Sequence, residues 1–383
     1  MKAELILVMC CAPVCASGSE IMWKLNGNSS GTYYENISLS AKPGRAENRI
    51  RSSVSSVLQY ATPTLSVSVT PLLAANRFTD ETRNSIDKNI GLNISKNMSE
   101  RSSFKLSTSF QEDTTFSSEL TTTGFTDRRK KRRSIACTPS YSYIINEISS
   151  ISASYSTTTV DYEDGVKDAL FDYDYRNSSI SYNHATETVG TISATYTESV
   201  QKVDLLSNHY KTTVFSLGIS KQFSETFSYS ISAGGRRYNT HIGWANYDSS
   251  SDGWVTSLSA TKKYLRSTLA SSFSRTATPS GGGYMVLQDK FSTNHSYSFS
   301  PLLVARTSFA VIKNSRDTEN GKLNRYYGNI SAGFTYTFEP EWSFAFEYQH
   351  RKSRSEAEIE TKDNTLSLSI RYSGRSNRIK SVF

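Results

Sequence analysis

The 383-residue sequence lacks any run of about 18 consecutive apolar residues, the length that a membrane-spanning helix requires. That absence excludes a helical inner-membrane protein. Apolar residues make up only 37% of the chain and the mean hydropathy is −0.47, which is low for a soluble chain with a large buried core. The chain is not predicted to be disordered either, because it contains 23 tyrosines and 18 phenylalanines.

Cysteine is nearly absent beyond the N-terminus. Of the four cysteines, three lie within the first 15 residues and the fourth is Cys137. A single thiol in the rest of the chain forms neither an intramolecular disulfide nor a zinc site. Cys137 shares an apolar face with Ile135 and Tyr141, so we expect it to be a small lipid-facing residue.

Histidine and proline are scarce too, with five and eight residues. The histidines, at positions 184, 209, 241, 295 and 350, show no metal-ligand spacing. The glycine run 281–283 lacks the Lys-Ser/Thr ending and the following helix of a phosphate-binding loop. The sequence therefore predicts no metal site and no cofactor.

What the sequence does contain is a short polar turn, usually ending in Glu, that recurs about every 40 residues. Such a period is typical of propeller blades and helical repeats as well as of hairpins. Between the turns, apolar residues occupy every second position, as from Ile330 to Phe338, and this period of two predicts β-strands. The turns lie at residues 99–100, 146–147, 186–187, 224–225 and 340–341, with related connections near 62–63, 264–265 and 300–301.

Eight turns join sixteen strands of about ten to twelve residues, the length of a tilted membrane-spanning strand. The segment 364–373 adds a seventeenth. Single-chain bacterial barrels have an even number of strands and both termini in the periplasm. This parity predicts that the weakly alternating run 32–41 is also a strand, which gives about 18 strands, with 16 as the nearest alternative. The other predicted strands are 49–60, 64–76, 88–97, 102–111, 134–144, 148–159, 175–183, 189–198, 212–223, 226–237, 254–263, 266–276, 286–299, 302–313, 326–338 and 342–350.

The predicted fold is all-β: a transmembrane, up-and-down antiparallel β-barrel. Backbone N–H and C=O groups find no water in hydrocarbon, so strands cross a membrane only in a closed barrel without edges. Aromatic residues near the predicted strand ends, such as Tyr60, Tyr264 and Phe299, match the girdles of such barrels.

The N-terminus has the pattern of a signal peptide over residues 1–16, with Lys2, an apolar segment 5–9 and small residues around Ala16. The alternative is a lipoprotein acylated at Cys15, although the preceding residues match that pattern poorly. We expect residues 17–31 to form a flexible periplasmic lead-in, 32–373 the barrel and 374–383 a basic tail. This division predicts the outer membrane of a Gram-negative cell, with both termini in the periplasm.

Several stretches resemble uncharacterised outer-membrane β-barrel proteins of Proteobacteria. They are RTATPSGGGYMVLQDKFSTNHSYSFSP, YYGNISAGFTYTFEPEWSFAFEYQHRKS, NTLSLSIRYSG and DTTFSSELTTTGFTDRRKKRRSIACTPSYSY. The resemblance is carried by Ser/aromatic repeats over most of the mature chain. It implies an outer-membrane location, assembly by the barrel-assembly machinery and, through some members, an association with exopolysaccharide. It supplies no catalytic residues.

Charged residues on the polar phase of the strands are the candidate lumen lining. Cations in a wet pore favour anionic solutes by electrostatic focusing. The alternative is that these charges pair with loop carboxylates and only keep the interior hydrated. The candidates are Arg51, Lys105, Lys263, Arg306, Glu347 and Arg371.

A basic run follows Asp127 in a predicted long loop, and the formal net charge of the chain is +8. Behind a signal peptide such a run does not indicate nucleic-acid binding. In an outward loop it either contacts lipopolysaccharide phosphates or is simply solvated. The residues concerned are Arg128, Arg129, Lys130, Lys131, Arg132 and Arg133.

The sequence thus supports a pore or passive conduit for small polar, anionic or saccharide solutes. Two other classes remain open: a plugged structural barrel whose loops bind a surface polymer, and a hydrolase with a Ser-His or Asp-His site at the barrel rim. We expect outer-membrane lipids and lipopolysaccharide as partners, no nucleic acid and no enzymatic activity. The sequence does not determine the oligomeric state.

Overall fold

One antiparallel sheet closes on itself in a computed structural model of the protein, which describes residues 19–37, 39, 46–115, 130–243, 247–318, 321–355 and 360–380. Successive strands pair from β1 (Glu20–Tyr34) to β18 (Glu360–Ser373), and β1 also pairs with β18. The predicted fold, a transmembrane up-and-down barrel of 18 strands, is therefore confirmed.

The barrel strands contain between 13 and 19 residues, so they are longer than the ten to twelve predicted. Besides β1 and β18 they are β2 (Glu47–Ala61), β3 (Leu65–Phe78), β4 (Ser85–Ser99), β5 (Ser102–Thr114), β6 (Lys131–Asn146), β7 (Ser149–Tyr162), β8 (Tyr173–Thr186), β9 (Gly190–Val203), β10 (Asn208–Ser224), β11 (Phe227–Ile242), β12 (Tyr247–Lys263), β13 (Ser267–Ser280), β14 (Tyr284–Ser298), β15 (Leu303–Thr318), β16 (Gly321–Glu339) and β17 (Trp342–Ser355). Short 3-10 helices in the described loops include Glu81–Arg83, Gly165–Asp168 and Asp204–Leu206.

The two ends of the barrel differ. The eight predicted tight turns all lie at one end, here called the turn end, together with the beginning of β1 and the end of β18. The other connections, most of them longer, lie at the opposite end, here called the loop end. Among the residues that the structure describes, no helix is long and apolar enough to cross a membrane.

Alternation along each strand separates an apolar outer face from a polar inner face. Exposed apolar side chains include Val54, Leu73 and Ile330, all on the outer phase. The cross-strand register places Trp23, Leu58, Val69 and Leu92 in one outward row. The outer face is thus an apolar band of the kind that contacts lipid, and the inner face is hydrated.

The first strand is not where the sequence predicts it. The bounds of the predicted strand 32–41 are wrong, because β1 spans Glu20–Tyr34 and residues 35–37 are not part of a strand; residues 38, 40 and 41 lie outside the described residues. The predicted lead-in 17–31 is wrong from Glu20 onward. Small outward residues at Gly27, Ser29 and Gly31 interrupt the apolar alternation and give this stretch the composition of a linker. Pairing with both β18 and β2 makes it a strand nevertheless.

The C-terminal tail is also partly ordered. Residues Asn377–Lys380 form β19, which pairs with β1 from Glu20 to Trp23, below the point where β18 ends. This short strand covers an edge of β1 that β18 leaves unpaired. Residues 381–383 and the predicted signal peptide lie outside the described residues.

Candidate channel lumen

The six predicted lumen residues all lie on the inward-facing phase of their strands. The register joins Arg51 to Asn76, Lys105 to Ser95 and Ser140, and Lys263 to Thr268. It joins Arg306 and Glu347 to Gly333 on opposite sides, and Arg371 to Ser343 and Asn28. These partners belong to the polar face of the sheet, so the side chains point into the barrel.

Among the residues that the structure describes, Arg51 is the one of these five cations with a carboxylate partner. Arg51 Nη1 donates to Asp87 Oδ2 over 2.8 Å and to Asn76 Oδ1 over 3.0 Å. Arg306 Nη1 donates to the hydroxyl of Thr335 over 3.0 Å. Among the described residues, no carboxylate oxygen lies within 4.0 Å of the side-chain nitrogens in the following cations: Lys105, Lys263, Arg306 and Arg371.

A recess in the inner wall brings three of the six residues together. It has a volume of about 580 Å³ and is lined by Arg306, Glu347 and Arg371 with hydroxyl and amide side chains from β1 and β13–β18. Gly333 lies between Arg306 and Glu347 in the sheet, and a Cβ there would come within 2.3 Å of the Phe346 carbonyl oxygen. The recess therefore offers two guanidinium groups and one carboxylate; Arg51, Lys105 and Lys263 do not line it.

Further inward-facing arginines of the described strands are missing from the prediction of the lumen lining, among them Arg49, Arg236, Arg325 and Arg351. Arg49 and Arg236 lie on the polar phase of strands that were predicted, so the same alternation could have identified them. Arg325 and Arg351 lie just beyond the predicted strand ends. Their strands continue past the apolar band, where polar residues occupy both faces and the alternation carries no signal.

At the loop end, Arg49 and Arg351 lie close to one tyrosine ring. Their guanidinium carbons are 5.3 Å and 5.7 Å from the centroid of Tyr34, which is buried. Arg351 also forms an ion pair with Asp363. The inner wall here combines cation–π and ion-pair contacts, which hold the guanidinium groups in fixed positions.

The β13–β14 hairpin leaves the barrel wall at the loop end. β13 pairs with β12 only as far as Arg275 and Thr256, and β14 pairs with β15 only from Leu287 and Ser315. Between these points the hairpin pairs only with itself. We call residues 276–286 the flap.

The flap packs against the inner side of β8–β10. The Gln201 amide Nε2 donates to the Ser280 carbonyl over 3.2 Å, and the Phe171 amide N–H donates to the Gly281 carbonyl over 2.8 Å. Gly283, at φ +77°, comes so close to Phe171 and Leu206 that a Cβ would lie 3.0 Å from each. A small apolar cluster lies beside it: Val160, Tyr162, Leu170, Tyr173 and Val203. The flap therefore covers part of the lumen at this end.

The histidines form pairs but no catalytic triad. His184 Nδ1 lies 2.9 Å from the Ser149 hydroxyl at the turn end, and His241 Nδ1 lies 2.8 Å from Asp248 Oδ1 at the loop end. Within the described part of the chain, no carboxylate contacts the first pair and no nucleophile contacts the second, so neither pair is completed to a triad. No group of three or more potential metal ligands occurs among those residues either.

The basic run divides between the two faces of β6. Lys131 and Arg133 point outward and Arg132 points inward toward Asp113, 3.6 Å away. Lys130 precedes the strand. Arg128 and Arg129 lie outside the described residues.

These features define a wide transmembrane β-barrel with a polar, basic and partly covered lumen. No family model matches the sequence, and no curated relative does. The fold is similar to that of solved outer-membrane proteins of Pseudomonas aeruginosa. OpdK has 10% identity and a TM-score of 0.51 over 92% of this chain and 99% of that chain. OccK2 (OpdF) has 11% identity and a TM-score of 0.52 over 92% and 98%. OccK5 (OpdH) has 12% identity and a TM-score of 0.51 over 95% and 100%. At these identities the likeness concerns the fold.

Proposed function

We propose that the protein is a porin-type channel of the outer membrane that conducts small polar solutes and favours anions. The observation that carries the proposal is that four of the predicted inward-facing cations, Lys105, Lys263, Arg306 and Arg371, have no carboxylate partner among the described residues, against one predicted inward carboxylate, Glu347. Fixed positive charge in a hydrated, low-dielectric enclosure concentrates anions.

The difference between the two ends of the barrel supports one orientation of the protein in the outer membrane. Short turns lie on the periplasmic side of outer-membrane barrels and long loops on the outside. We therefore assign the turn end, with both strand termini, to the periplasm and the loop end to the cell exterior. The likeness in fold to outer-membrane proteins supports the same location.

The lumen recess lined by Arg306, Glu347 and Arg371 indicates the class of solute that the channel binds. Its volume of about 580 Å³ is within the usual range of sites for small molecules. Guanidinium groups bind carboxylates through paired hydrogen bonds, and the hydroxyl groups suit a polyol. A small sugar acid meets both requirements. One solved structure of OccK2 is a complex with glucuronate, which makes glucuronate a suitable probe.

Reversal potential in a planar bilayer tests the proposal. The folded protein is identified by heat-modifiable migration on a gel and should give steady single-channel current steps. In a salt gradient, the sign of its reversal potential should show that chloride permeates better than the cation. Arg306→Gln with Arg371→Gln should shift that potential toward cation preference. Lys221→Gln with Lys262→Gln removes the same charge from the outer face of the turn end and should leave it unchanged. Glucuronate should reduce the wild-type current and affect the arginine variant less.

A plugged structural barrel is the second candidate, and the flap is the observation that favours it. Its contacts with Gln201 and Phe171 fix it inside the loop end. Folded protein that gives no conductance steps would support this alternative and contradict the channel.

A further inference from the structure

Three cations from two separate strands converge on one carboxylate at the loop end of the outer face. Glu112 on β5 lies between β4 and β6. Its carboxylate oxygens are 3.0 Å from Lys88 Nζ, 3.4 Å from Lys131 Nζ and 3.5 Å from Arg133 Nη2. Register places Glu112 directly opposite Lys88 and Arg133, so all three are on the outward phase.

The carboxylate is enclosed, whereas the cations are open to their surroundings. The Glu112 side chain is 7% exposed, and those of Lys88, Lys131 and Arg133 are 49%, 50% and 53% exposed. One buried anion thus fixes the positions of three cations without neutralising them. About half of each cation's side-chain surface is still exposed, so the cations remain able to bind a second anion.

The charge on the β3–β6 side of this site is positive on balance. A second recess, with a volume of about 680 Å³, lies at this site and is lined by Lys88, Glu112 and Lys131. Arg77 on β3 lines it too. Asp161 on β7 pairs in register with Arg133 and bounds the site on its other side. Four cations therefore face Glu112 and Asp161, while Asp172 and Asp174 lie near Asp161 on the side of β7 away from Glu112. Asp113 and Arg132 do not contribute, because they pair with each other on the inner face.

The site lies at the height of a lipid headgroup. Along β6, Arg133 is ten residues from Tyr143, an exposed aromatic residue near the turn end. At about 3.3 Å per residue and a tilt of about 40°, this separation corresponds to about 25 Å, the height of the apolar band of an outer-membrane barrel. The next outward row toward the turn end is apolar and consists of Ile90, Phe110 and Ile135.

We propose that Lys88, Lys131 and Arg133 bind the phosphate groups of a lipopolysaccharide molecule whose acyl chains lie against the apolar row below. Arginine binds phosphate through paired hydrogen bonds and lysine acts as a point charge, so the mixed set suits a phosphorylated headgroup. The assignment rests on the proposed orientation, with the loop end outside. The proposed site differs from the basic run 128–133 in the sequence. It spans β4 to β6 and includes Lys88, which is more than 40 residues earlier in the chain than Lys131.

A related cluster shows what distinguishes this site. Lys352 and Lys362 lie 2.8 Å and 3.0 Å from Glu360 on the outer face of β17 and β18. The Glu360 side chain is 37% exposed, whereas that of Glu112 is 7% exposed, so solvent and salt screen the Glu360 cluster more strongly. The enclosed carboxylate of the β4–β6 site therefore holds its cations in more fixed positions.

Lipid binding to the folded, full-length protein in detergent tests the proposal by native mass spectrometry or fluorescence titration. The probes are bis-phosphorylated lipid A, its dephosphorylated form and inorganic pyrophosphate. The triple variant Lys88→Gln, Lys131→Gln, Arg133→Gln should bind the bis-phosphorylated lipid at least tenfold more weakly than the wild type. The matched control Lys96→Gln, Lys221→Gln, Lys262→Gln removes three outward cations at the turn end and should change binding by less than twofold.

Each other result overturns the proposal. Equal binding of phosphorylated and dephosphorylated lipid would show that phosphate is not recognised. Pyrophosphate binding as tight as lipid binding would indicate a soluble polyanion as the ligand. Unchanged affinity in a folded triple variant would place the lipid elsewhere. Because the assay needs no conductance, a failure of the channel proposal would be distinguishable from a failure here.

Discussion

Arg351 on β17 faces Asp363 on β18 inside the barrel, and its Nε donates to Asp363 Oδ2 over 2.9 Å. Their side chains are 7% and 0% exposed. Asp363 also accepts hydrogen bonds from the Thr365 hydroxyl over 2.8 Å and from the Asn36 backbone N–H over 2.6 Å. The carboxylate is thus fully satisfied, and it joins the chain that follows β1 to the strand that closes the barrel.

Removing this carboxylate should destabilise the barrel. Asp363→Asn leaves the Arg351 guanidinium buried without a counter-charge, which costs about 3–5 kcal/mol when one partner of a buried pair is lost. The measurement is the free energy of unfolding in urea, followed by tryptophan fluorescence and by heat-modifiable migration.

The double variant Arg351→Met, Asp363→Leu supplies the control for that measurement. It removes both charges, so it should be less destabilised than Asp363→Asn alone. If the single variant were as stable as the wild type, the pair would not be buried as described.

The sequence was sufficient to predict most strands because one face of each meets lipid and the other water. That contrast gives the period of two from Ile330 to Phe338, and it places Arg306 and Arg371 on the inner phase. Strand parity predicted 18 strands but not the position of β1. The position of β1 is decided by the closure of the barrel, in which β1 pairs with β18, more than 330 residues later in the chain.

Features beyond the apolar band were not predictable in the same way. Arg351 and Asp363 lie where both faces of the strands are polar, so nothing in the local sequence marks their phase. The flap has the sequence of an ordinary hairpin, and its inward position depends on contacts with Gln201 and Phe171, far away in the chain. The Glu112 site combines three strands, and only two of its cations belong to the basic run.

Glu347→Gln should increase anion preference. Glu347 is the inward carboxylate of the recess that holds Arg306 and Arg371, so its removal makes the local charge more positive. The reversal potential in a salt gradient should move further toward that of chloride, in the direction opposite to the arginine variants. Ser343→Ala, on the same inner face of β17, removes no charge and should leave the potential unchanged. A shift toward cation preference would contradict the proposed role of these charges.

Shortening the flap should widen the channel. Replacing residues 278–286 by a two-residue Asn-Gly turn keeps Ala277 opposite Leu287 and removes the part of the hairpin that has left the wall, while the β12–β13 pairing up to Arg275 is retained. Conductance follows the open cross-section, so single-channel conductance should rise about twofold.

The comparison for that variant is a barrel shortened at residues 79–84. This segment connects β3 to β4 and remains close to the wall, with the Phe78 amide N–H donating to Asn84 Oδ1 over 2.8 Å. Its removal should not change the conductance. An equal rise in both variants would show that loop length in general, and not the flap, limits the current.

Neighbouring residues on β4 test which face of the barrel contacts lipid. Leu92 is on the outward phase, midway between Lys88 and Lys96, and Asn93 is on the inward phase. Arginine at the midplane of the lipid face costs about 2–4 kcal/mol, whereas the lumen is hydrated and accepts charge. Leu92→Arg should therefore lower the free energy of unfolding in lipid vesicles by that amount, and Asn93→Arg should leave it nearly unchanged while shifting the reversal potential further toward that of chloride. Equal destabilisation by both substitutions would show that the interior is packed and dry at this level, and the reverse order would show that the two faces had been exchanged.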